Sequence, residues 1–190
     1  MRSIDRAQEL GEVFTHKREV DAMLDLIPET FQEIETTFLE PACGDGNFLV
    51  EIFARKIKLV QATSISKEQA DVEFEILHAL SSIYGVDISE LNVNEAISRL
   101  VEMSIAAHAF MGLQPSEDFV QAARAIAETN VVLGDALNSA SEIVFVEYAP
   151  TKKHTFKRTP FHLEPPEIDL FYVPPVELPE ILYSQLGVEK

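Results

Sequence analysis

The sequence contains very little cysteine, since Cys43 is the only one in 190 residues. An internal disulfide is therefore excluded, and this composition is typical of a reducing compartment, so we expect a cytoplasmic location. Long apolar runs are missing as well, and no stretch approaches the length needed to span a membrane. The polar, charged segment Met1 to Gly11 does not have the pattern of a signal peptide.

Basic residues are scarce, because 15 Lys and Arg stand against 32 Asp and Glu and give a net charge of −17. A protein that binds DNA alone usually presents a basic face, since phosphate contacts dominate affinity. The clearest basic cluster, residues 152–158, is interpreted either as a loop that contacts phosphate or as a solvated loop. The charge also admits an acidic protein that mimics DNA and occupies a DNA-binding enzyme.

The spacing that metal sites require is also missing. Zinc and similar ions need several His, Cys or carboxylate ligands at short, regular intervals. The histidines are scattered over the chain, at His16, His78, His108, His154 and His162. We therefore predict no metal site.

What the chain does contain is a glycine-rich turn between an apolar strand and an apolar helix. The segment Phe38 to Leu49 begins with a predicted strand that Pro41 ends, and Gly44 and Gly46 precede residues at helical spacing. Such a turn lets the backbone approach a ligand and aims the helix N-terminus at it. The turn is typical of a nucleotide-like cofactor site, and equally of plain α/β architecture. It matches neither Gly-x-Gly-x-x-Gly nor a Walker loop.

Two further predicted strands end in acidic residues. The run Ser82 to Ile88 contains Asp87, where a carboxylate after a second strand can accept both ribose hydroxyls. Asp87 is alternatively a helix N-cap, although Ser89 can take that role and leave Asp87 free for a ligand. In the third run, Asn130 to Leu137, Asp135 either accepts a hydrogen bond from an exocyclic amine or is an ordinary turn aspartate. Three such strands in order favour a cofactor site at the carboxyl edge of a parallel sheet.

These segments resemble the class I S-adenosylmethionine-dependent methyltransferases, and more closely the N6-adenine DNA methyltransferases of restriction–modification systems. Gly11 to Val20 looks like that family's Gly-x-x-Phe-Thr-Pro-x-x-x-Val segment, with His16 in place of proline. Glu40 to Leu49 is similar to its Asp/Glu-Pro-Ala-Cys-Gly-x-Gly-x-Phe-Leu loop. The match spans about residues 11 to 137. Cys43, inside this loop, would then be a packing residue rather than a nucleophile.

The resemblance implies S-adenosylmethionine as the cofactor and a role for each matching residue. Phe14 and Thr15 would border the methionine end of the cofactor. Asp87 would hold the ribose, Ile88 would pack on the adenine, and Asp135 would contact the adenine amine. The cofactor-binding residues implied in this way are Phe14, Thr15, Glu40, Pro41, Ala42, Gly44, Gly46, Phe48, Asp87, Ile88, Asp135 and Ala136.

The family's catalytic tetrapeptide, Asn/Asp-Pro-Pro-Tyr/Phe, has no clear counterpart. In the family it accepts hydrogen bonds from the target amine and stacks on the flipped base. The nearest segment, Ile168 to Val176, has a strand-like run before Pro-Pro, but Val173 and Val176 stand where the polar and aromatic residues belong. A proline-rich tail without chemistry is the alternative interpretation. The nearest candidates for catalytic residues are Tyr172, Pro174 and Pro175.

The predicted fold class is α/β, a three-layer, Rossmann-like methyltransferase fold with a mostly parallel sheet. The chain is too short for the family's complete sheet of about seven strands, so we expect an incomplete one. A cofactor-binding core is predicted over residues 1–137, and a proline-rich extension with one or two further strands over residues 138–190. Helices are predicted after the glycine turn, before Pro28, and at Lys67 to Ser82, Asn92 to His108 and Ser116 to Glu128.

The implied function is an S-adenosylmethionine-dependent methyltransferase, or the cofactor-binding subunit of one, that acts on adenine N6 in DNA. Direct methyl transfer needs positioning more than acid–base groups, so few catalytic side chains are expected. Because the chain is acidic, we expect a partner chain or a homo-oligomer to help hold the DNA. Two alternatives stay open: a catalytically inactive methyltransferase-like module that acts by binding cofactor or protein, and the acidic DNA mimic.

Overall fold

The computed structural model describes residues 15–64, 67–165 and 176–188. Within them the chain forms five α-helices and six β-strands, with short 3₁₀ turns between some of them. The helices are α1 (Lys17–Leu24), α2 (Asn47–Thr63), α3 (Gln69–Ser81), α4 (Glu90–Phe110) and α5 (Glu117–Asn130). The strands are β1 (Phe38–Glu40), β2 (Ile83–Asp87), β3 (Val131–Leu133), β4 (Val144–Pro150), β5 (Thr155–His162) and β6 (Leu178–Leu182). Across these described ranges, no helix combines the length and the apolar character needed to cross a membrane.

The first three strands form a parallel sheet in the order β1–β2–β3. Phe38 pairs with Ile83, and Gly85 pairs with Val131, so β2 is the central strand. Parallel neighbours require a long crossover, and here each crossover contains two helices. The α/β class, the three predicted strands and the helices predicted between them are confirmed. The carboxyl ends of all three strands meet at one edge of this sheet.

The last three strands do not extend the parallel sheet. They form a separate antiparallel sheet in the order β4–β5–β6. Val146 pairs with Pro160, and Phe156 pairs with Ile181. The further strands expected after Leu137 are present, but the expected number, one or two, is too low, because the described residues contain three. The strand predicted at residues 168–173 lies outside the described residues.

Proline positions explain why this second sheet was underestimated from the sequence. Proline has no N–H to donate and is therefore tolerated in sheets mainly at edges and irregularities. Pro160 lies in β5 beyond Arg158, the last residue of β5 that is paired with β6. Pro179 lies within β6, which pairs with β5 alone among the described strands. Pro160 thus lies beyond the part of β5 that is paired with β6, and Pro179 lies where the register of the β5–β6 pair shifts.

The parallel sheet packs differently on its two faces. On one face, Tyr84 and Val86 of β2 pack against Ile143 and Phe145 at the start of the second sheet. The other face carries Gly85, and there the side chain of Leu49 on α2 approaches so closely that a Cβ on residue 85 would lie 2.8 Å from it. The larger core cluster joins residues on both sides of Leu137, the predicted boundary between core and extension.

A buried lysine fixes the start of β1. Lys56 of α2 has no exposed side-chain surface, and its Nζ donates to the carbonyl oxygens of Ile34 and Thr36, each at 2.6 Å. Burial lowers the pKa of Lys56 to about 8. The ammonium also lies 5.2 Å from the centre of the Phe38 ring. These contacts hold the chain before β1 against α2, and so help to position β1 and the glycine turn that follows it.

Candidate functional site

A sharp turn connects β1 to α2 at the carboxyl edge of the parallel sheet. We call residues 41–46 the glycine loop. The N–H of Cys43 donates to the Val86 carbonyl at 2.8 Å, which ties the loop to the end of β2. Gly44 and Gly46 have positive φ angles of 54° and 87°, in the left-handed region that favours glycine. Helix α2 begins directly after Gly46, so its first turn starts at the loop.

The two glycines have different reasons to be glycine. A Cβ on Gly46 would lie 2.9 Å from the Cβ of Ala96 on α4, so this position is closed by the packing of a helix. A Cβ on Gly44 would meet no described heavy atom within 4 Å. The loop is therefore packed against α4 at Gly46 and open at Gly44. Only the Gly44 side has room for a ligand to approach the backbone.

Asp87, at the end of β2, connects the glycine loop to α4. Its Oδ2 accepts a hydrogen bond from the Gly44 N–H at 2.8 Å. Its Oδ1 accepts from the Ser89 N–H at 2.8 Å and from Asn92 Nδ2 at 3.2 Å. The Ser89 side chain makes no capping hydrogen bond. Ser89 is therefore the N-cap residue of α4 by position, as one interpretation of the sequence expects, but its side chain does not cap the helix. The expectation that Asp87 is left free is wrong, because its carboxylate accepts from the Ser89 N–H and from Asn92 Nδ2.

The remaining capacity of Asp87 decides whether a ligand can still use it. An ionised carboxylate has roughly four lone-pair positions. Donors from the described residues occupy three of them, two at Oδ1 and one at Oδ2. One ribose hydroxyl can therefore join at Oδ2 without displacing a protein donor, whereas a second would have to replace the amide of Asn92. A ligand with two neighbouring hydroxyls would therefore find one acceptor position available on Asp87 and one occupied by Asn92.

Asp135 follows β3 and organises a local turn. Its Oδ1 accepts from the N–H groups of Leu137 at 2.9 Å and Asn138 at 3.0 Å, and its Oδ2 accepts from Asn138 Nδ2 at 2.7 Å. The Asn138 side chain, followed by the backbone N–H groups, holds the pKa of Asp135 below its usual value. The turn interpretation of Asp135 is confirmed. A contact to an adenine amine would have to share the same carboxylate.

The other predicted residues near the loop differ in their exposure to solvent. Glu40 is half-buried, and its Oε1 accepts from the Ala42 N–H at 3.3 Å. Pro41 and Ala42 are exposed, whereas Phe48 is half-buried in the first turn of α2. Ile88 has 62% of its surface exposed. This exposed apolar side chain next to Asp87 is the one that the resemblance assigns to packing on adenine.

Ala136 is half-buried beside Asp135, and Thr15 is half-buried just before α1. The structure therefore brings Glu40, Gly44, Asp87 and Asp135 to the same sheet edge. The predicted residues that lie outside the described ranges are Phe14, Tyr172, Pro174 and Pro175.

Cys43 is a packing residue in this arrangement. Its side chain is 6% exposed, and burial, followed by the nearby charges of Asp87 and Glu40, raises its pKa to about 12. A thiol with this pKa stays protonated near neutral pH and is a poor nucleophile. Its Sγ would lie 3.2 Å from a Cβ on Gly85, which shows how closely it fills the space over β2.

Arg99 on α4 is a residue that the sequence interpretation missed. Its guanidinium donates to the Asp45 carbonyl at 2.6 Å and to Asn47 Oδ1 at 3.0 Å, and it lies 3.3 Å from Asp45 Oδ1. It thus contacts the residues on both sides of Gly46. The available signal is spacing, because residues 92, 96 and 99 lie on one face of a helix. That signal gains meaning only once α4 is known to lie beside the loop.

The basic cluster at residues 152–158 is largely paired within the protein. Lys157 lies 2.8 Å from Glu177, and Lys152 lies 3.4 Å from Glu180. Arg158 is buried, and its Nη2 donates to the carbonyl of Pro179 at 3.2 Å. Acidic neighbours thus offset most of the charge that a phosphate contact would use.

The described site is a sheet edge with an open glycine, a carboxylate with one spare acceptor position and an exposed apolar side chain. These groups can bind a ligand that offers hydroxyl donors and a flat apolar ring, and they include no obvious acid–base pair. In the described parts of the chain, no group of three or more His, Cys, Asp or Glu side chains is arranged to hold a metal ion. Comparisons with protein-family models, curated proteins and solved structures found no match for this chain.

Proposed function

We propose that this protein binds S-adenosylmethionine at the glycine loop and acts as a methyltransferase, or as the cofactor-binding subunit of one, on adenine N6 in DNA. The observation that carries the proposal is the convergence of Gly44, Asp87 and Asp135 at the carboxyl edge of a parallel sheet. This edge is where α/β proteins hold nucleotide-like ligands. The finer fold assignment, an incomplete Rossmann-like methyltransferase sheet, belongs to the same proposal.

Each residue would contribute binding rather than proton transfer. The Asp87 Oδ2 atom would accept a ribose hydroxyl, and Ile88 would cover one face of the adenine. Gly44 would let the backbone approach the ligand, because no side chain stands in its way. Asp135 would receive the adenine amine beside Ala136. The bound cofactor supplies the reactive methyl group on its sulfonium, and the protein contributes orientation and exclusion of water.

The DNA would be held with the help of another chain or a second copy of this one. The net charge of −17 opposes DNA binding by this chain alone. Lys152 and Lys157 have acidic neighbours within 4 Å, so the main basic cluster does not supply the phosphate contacts that DNA binding needs. A partner with a basic surface would supply both the phosphate contacts and the residues that hold the target base.

The proposal that the protein binds S-adenosylmethionine is tested by calorimetric titration of the purified chain with this cofactor. We expect micromolar binding that weakens at least about tenfold in Asp87→Ala, because a hydrogen bond to a charged group is lost. Asp118→Ala, in the exposed first turn of α5, is the matched control and should bind like the unmodified protein. Absence of binding at millimolar cofactor would refute the assignment of the site.

The proposal of methyl transfer to DNA needs a second assay. Tritium from methyl-labelled cofactor should appear in adenine-containing DNA when the chain is combined with its partner, and to a lesser extent or not at all without it. DNA that lacks adenine is the control and should stay unlabelled. Label in the control DNA would show that adenine is not the acceptor.

A catalytically inactive module is the second candidate. The specific observations in its favour are that Asp87 and Asp135 already accept three hydrogen bonds each from the protein, and that the catalytic tetrapeptide has no clear counterpart. Micromolar cofactor binding with no transfer under any combination of chains would favour this candidate. Loss of both properties would leave the acidic DNA mimic, whose test is direct inhibition of a DNA-binding enzyme.

A further inference from the structure

Helix α4 lies beside the end of the glycine loop, which it contacts directly at two turns and through Asp87 at a third. Asn92, in the first turn of α4, donates to the Asp87 carboxylate that receives the Gly44 N–H. Ala96, one turn later, is the residue that closes the space at Gly46. Arg99, in the next turn, reaches past Gly46 to Asp45 and Asn47. A single helix face therefore contacts the end of the loop directly and the Gly44 side through Asp87.

Arg99 makes the most specific of these contacts. The planar guanidinium presents several N–H donors in a rigid fork, so one side chain can hold two acceptors in a fixed relation. Here Nη1 donates to the Asp45 carbonyl at 2.6 Å, and Nη2 donates to Asn47 Oδ1 at 3.0 Å. The side chain of Arg99 is 28% exposed, so water competes with these bonds only partly.

The loop needs such a contact because its own conformation is weakly determined. Two of its six residues are glycines, which have more backbone freedom than any other residue type. Asp87 holds the Gly44 side of the loop through the Gly44 N–H at 2.8 Å, and Arg99 holds the Gly46 side. The two acceptors of Arg99 flank Gly46, at the point where the loop becomes the first turn of α2. Fixing both therefore restrains the junction between the loop and the first turn of α2.

We infer that Arg99 is a positioning residue, which holds the glycine loop and the first turn of α2 in the arrangement that receives the cofactor. The identity of the ligand in this inference rests on the proposed function. The clamp, by which we mean the hydrogen bonds from Arg99 to Asp45 and Asn47, rests on the structure alone. Arg99 acts through Asp45 and Asn47, and no direct contact with the cofactor is required. The clamp should reduce the cost of ordering the loop upon binding, which is how preorganisation improves affinity.

The experiment compares Arg99→Met and Arg99→Lys with the control Arg124→Met. Methionine keeps much of the length and apolar contact of the side chain, but it donates nothing. Lysine keeps the charge and can hold one acceptor, but not two in a fixed fork. Arg124 lies on α5, where it makes an exposed pair with Glu128 at 3.6 Å, so its removal measures the general effect of losing an arginine.

Two readouts are taken on each variant. The first is amide hydrogen exchange without ligand, at Gly46 and Val50, whose N–H groups donate to Cys43 and Gly46, and at Val120 in α5 as a distant reference. In Arg99→Met, exchange at Gly46 and Val50 should rise by about tenfold while Val120 stays unchanged, because only the loop loses restraint. The second is the calorimetric Kd for S-adenosylmethionine, which should rise about tenfold in Arg99→Met and less in Arg99→Lys.

The outcomes separate the clamp from the proposed function. Faster exchange at the loop together with weaker binding supports the inference, and partial rescue by lysine supports it further. Unchanged exchange at Gly46 and Val50 in Arg99→Met overturns it. Faster exchange with unchanged affinity also overturns it, because the clamp would then not serve binding. If the unmodified protein does not bind the cofactor, the proposed function fails, while the exchange data still decide whether Arg99 holds the loop.

Discussion

Two carboxylates that connect separate parts of the chain, Glu73 and Asp87, differ in the number of hydrogen bonds they accept. Glu73 on α3 is 1% exposed and accepts four hydrogen bonds, from Gln69 Nε2, from the N–H and Oγ of Ser116, and from the Tyr183 hydroxyl. Asp87 is half-buried and accepts three from the described residues. Because a carboxylate has roughly four lone-pair positions, Glu73 is saturated and Asp87 is not. A saturated carboxylate in the interior is a structural joint, whereas the spare position on Asp87 lies at the open edge of the sheet.

The joint at Glu73 connects distant parts of the chain. Ser116 is the N-cap of α5, and Tyr183 lies in the turn after β6. Burial acts to raise the pKa of Glu73, but the hydrogen bonds from Gln69, Ser116 and Tyr183 together outweigh it and hold this pKa below its usual value. The charged carboxylate therefore fastens the turn after the second sheet to helices α3 and α5, and removing it should cause a large loss of stability.

The first prediction concerns Glu73→Ala. The variant leaves the N–H and hydroxyl of Ser116 and the hydroxyl of Tyr183 without their acceptor, so the free energy of unfolding should fall by about 3 kcal/mol or more. Urea denaturation measures this change. Glu128→Ala is the control, because its exposed pair with Arg124 should contribute less than about 1 kcal/mol. Equal losses in the two variants would contradict the structural role of Glu73.

The second prediction separates the two glycines of the loop. In Gly46→Ala the new Cβ would lie 2.9 Å from the Cβ of Ala96 at a φ of 87°, so both overpacking and backbone strain should lower stability, by about 2–4 kcal/mol. In Gly44→Ala the new Cβ meets open space, and only strain at a φ of 54° remains, about 1 kcal/mol. Urea denaturation measures the stability of both variants. Titration with S-adenosylmethionine should show that Gly44→Ala loses more binding free energy than the roughly 1 kcal/mol that it loses in stability. A larger stability loss at Gly44 would mean that the open and packed sides have been assigned wrongly.

The parallel half of the fold was predictable because its signals are local. Pro41 ends a strand, Gly44 and Gly46 start a helix, and the apolar runs around Val86 and Val132 are short, bounded and followed by acids. Parallel strands joined by helices leave few alternatives for their order. Glu40, Gly44, Asp87 and Asp135 could be predicted for the same reason, since each lies at the carboxyl end of a strand or a few residues after it.

The features that were missed depend on contacts between distant residues. Tyr183 and Glu73 are 110 positions apart, and Arg99 is 54 positions from Asp45. Pairing of β5 with β6 was obscured by prolines whose tolerance depends on which edge of a strand is free. The capacity of Asp87 could not be predicted either, because it follows from how many donors the fold directs at one carboxylate.

The final prediction concerns His108, which adjoins the saturated carboxylate. His108 has no exposed surface, and its Nε2 lies 3.7 Å from Glu73 Oε1 without a hydrogen-bond partner among the described residues. Its Nδ1 lies 3.2 Å from the Ser104 carbonyl and is assigned as the N–H donor. Burial lowers the pKa of His108 below its ordinary value of 6.5, although the Ser104 carbonyl and Glu73 partly oppose the shift. The folded protein therefore keeps this imidazole neutral at a pH where the unfolded chain binds a proton.

Below pH 6.5 the unfolded state binds more protons than the folded state, so stability should fall as the pH decreases from 7 to 5. In His108→Leu this dependence should be shallower, by up to about 1.4 kcal/mol per pH unit, as measured by urea denaturation at pH 5, 6 and 7. Burial also lowers the pKa of His78, so His78 should preserve part of the pH dependence of stability in His108→Leu. His78→Leu is therefore the matched variant. Glu73 does not interfere, because its pKa lies below its ordinary value of 4.5 and it stays charged over this range. A slope unchanged in His108→Leu would show that folding does not shift the pKa of the imidazole, and a steeper slope would show that His108 forms an ion pair with Glu73 in the folded protein.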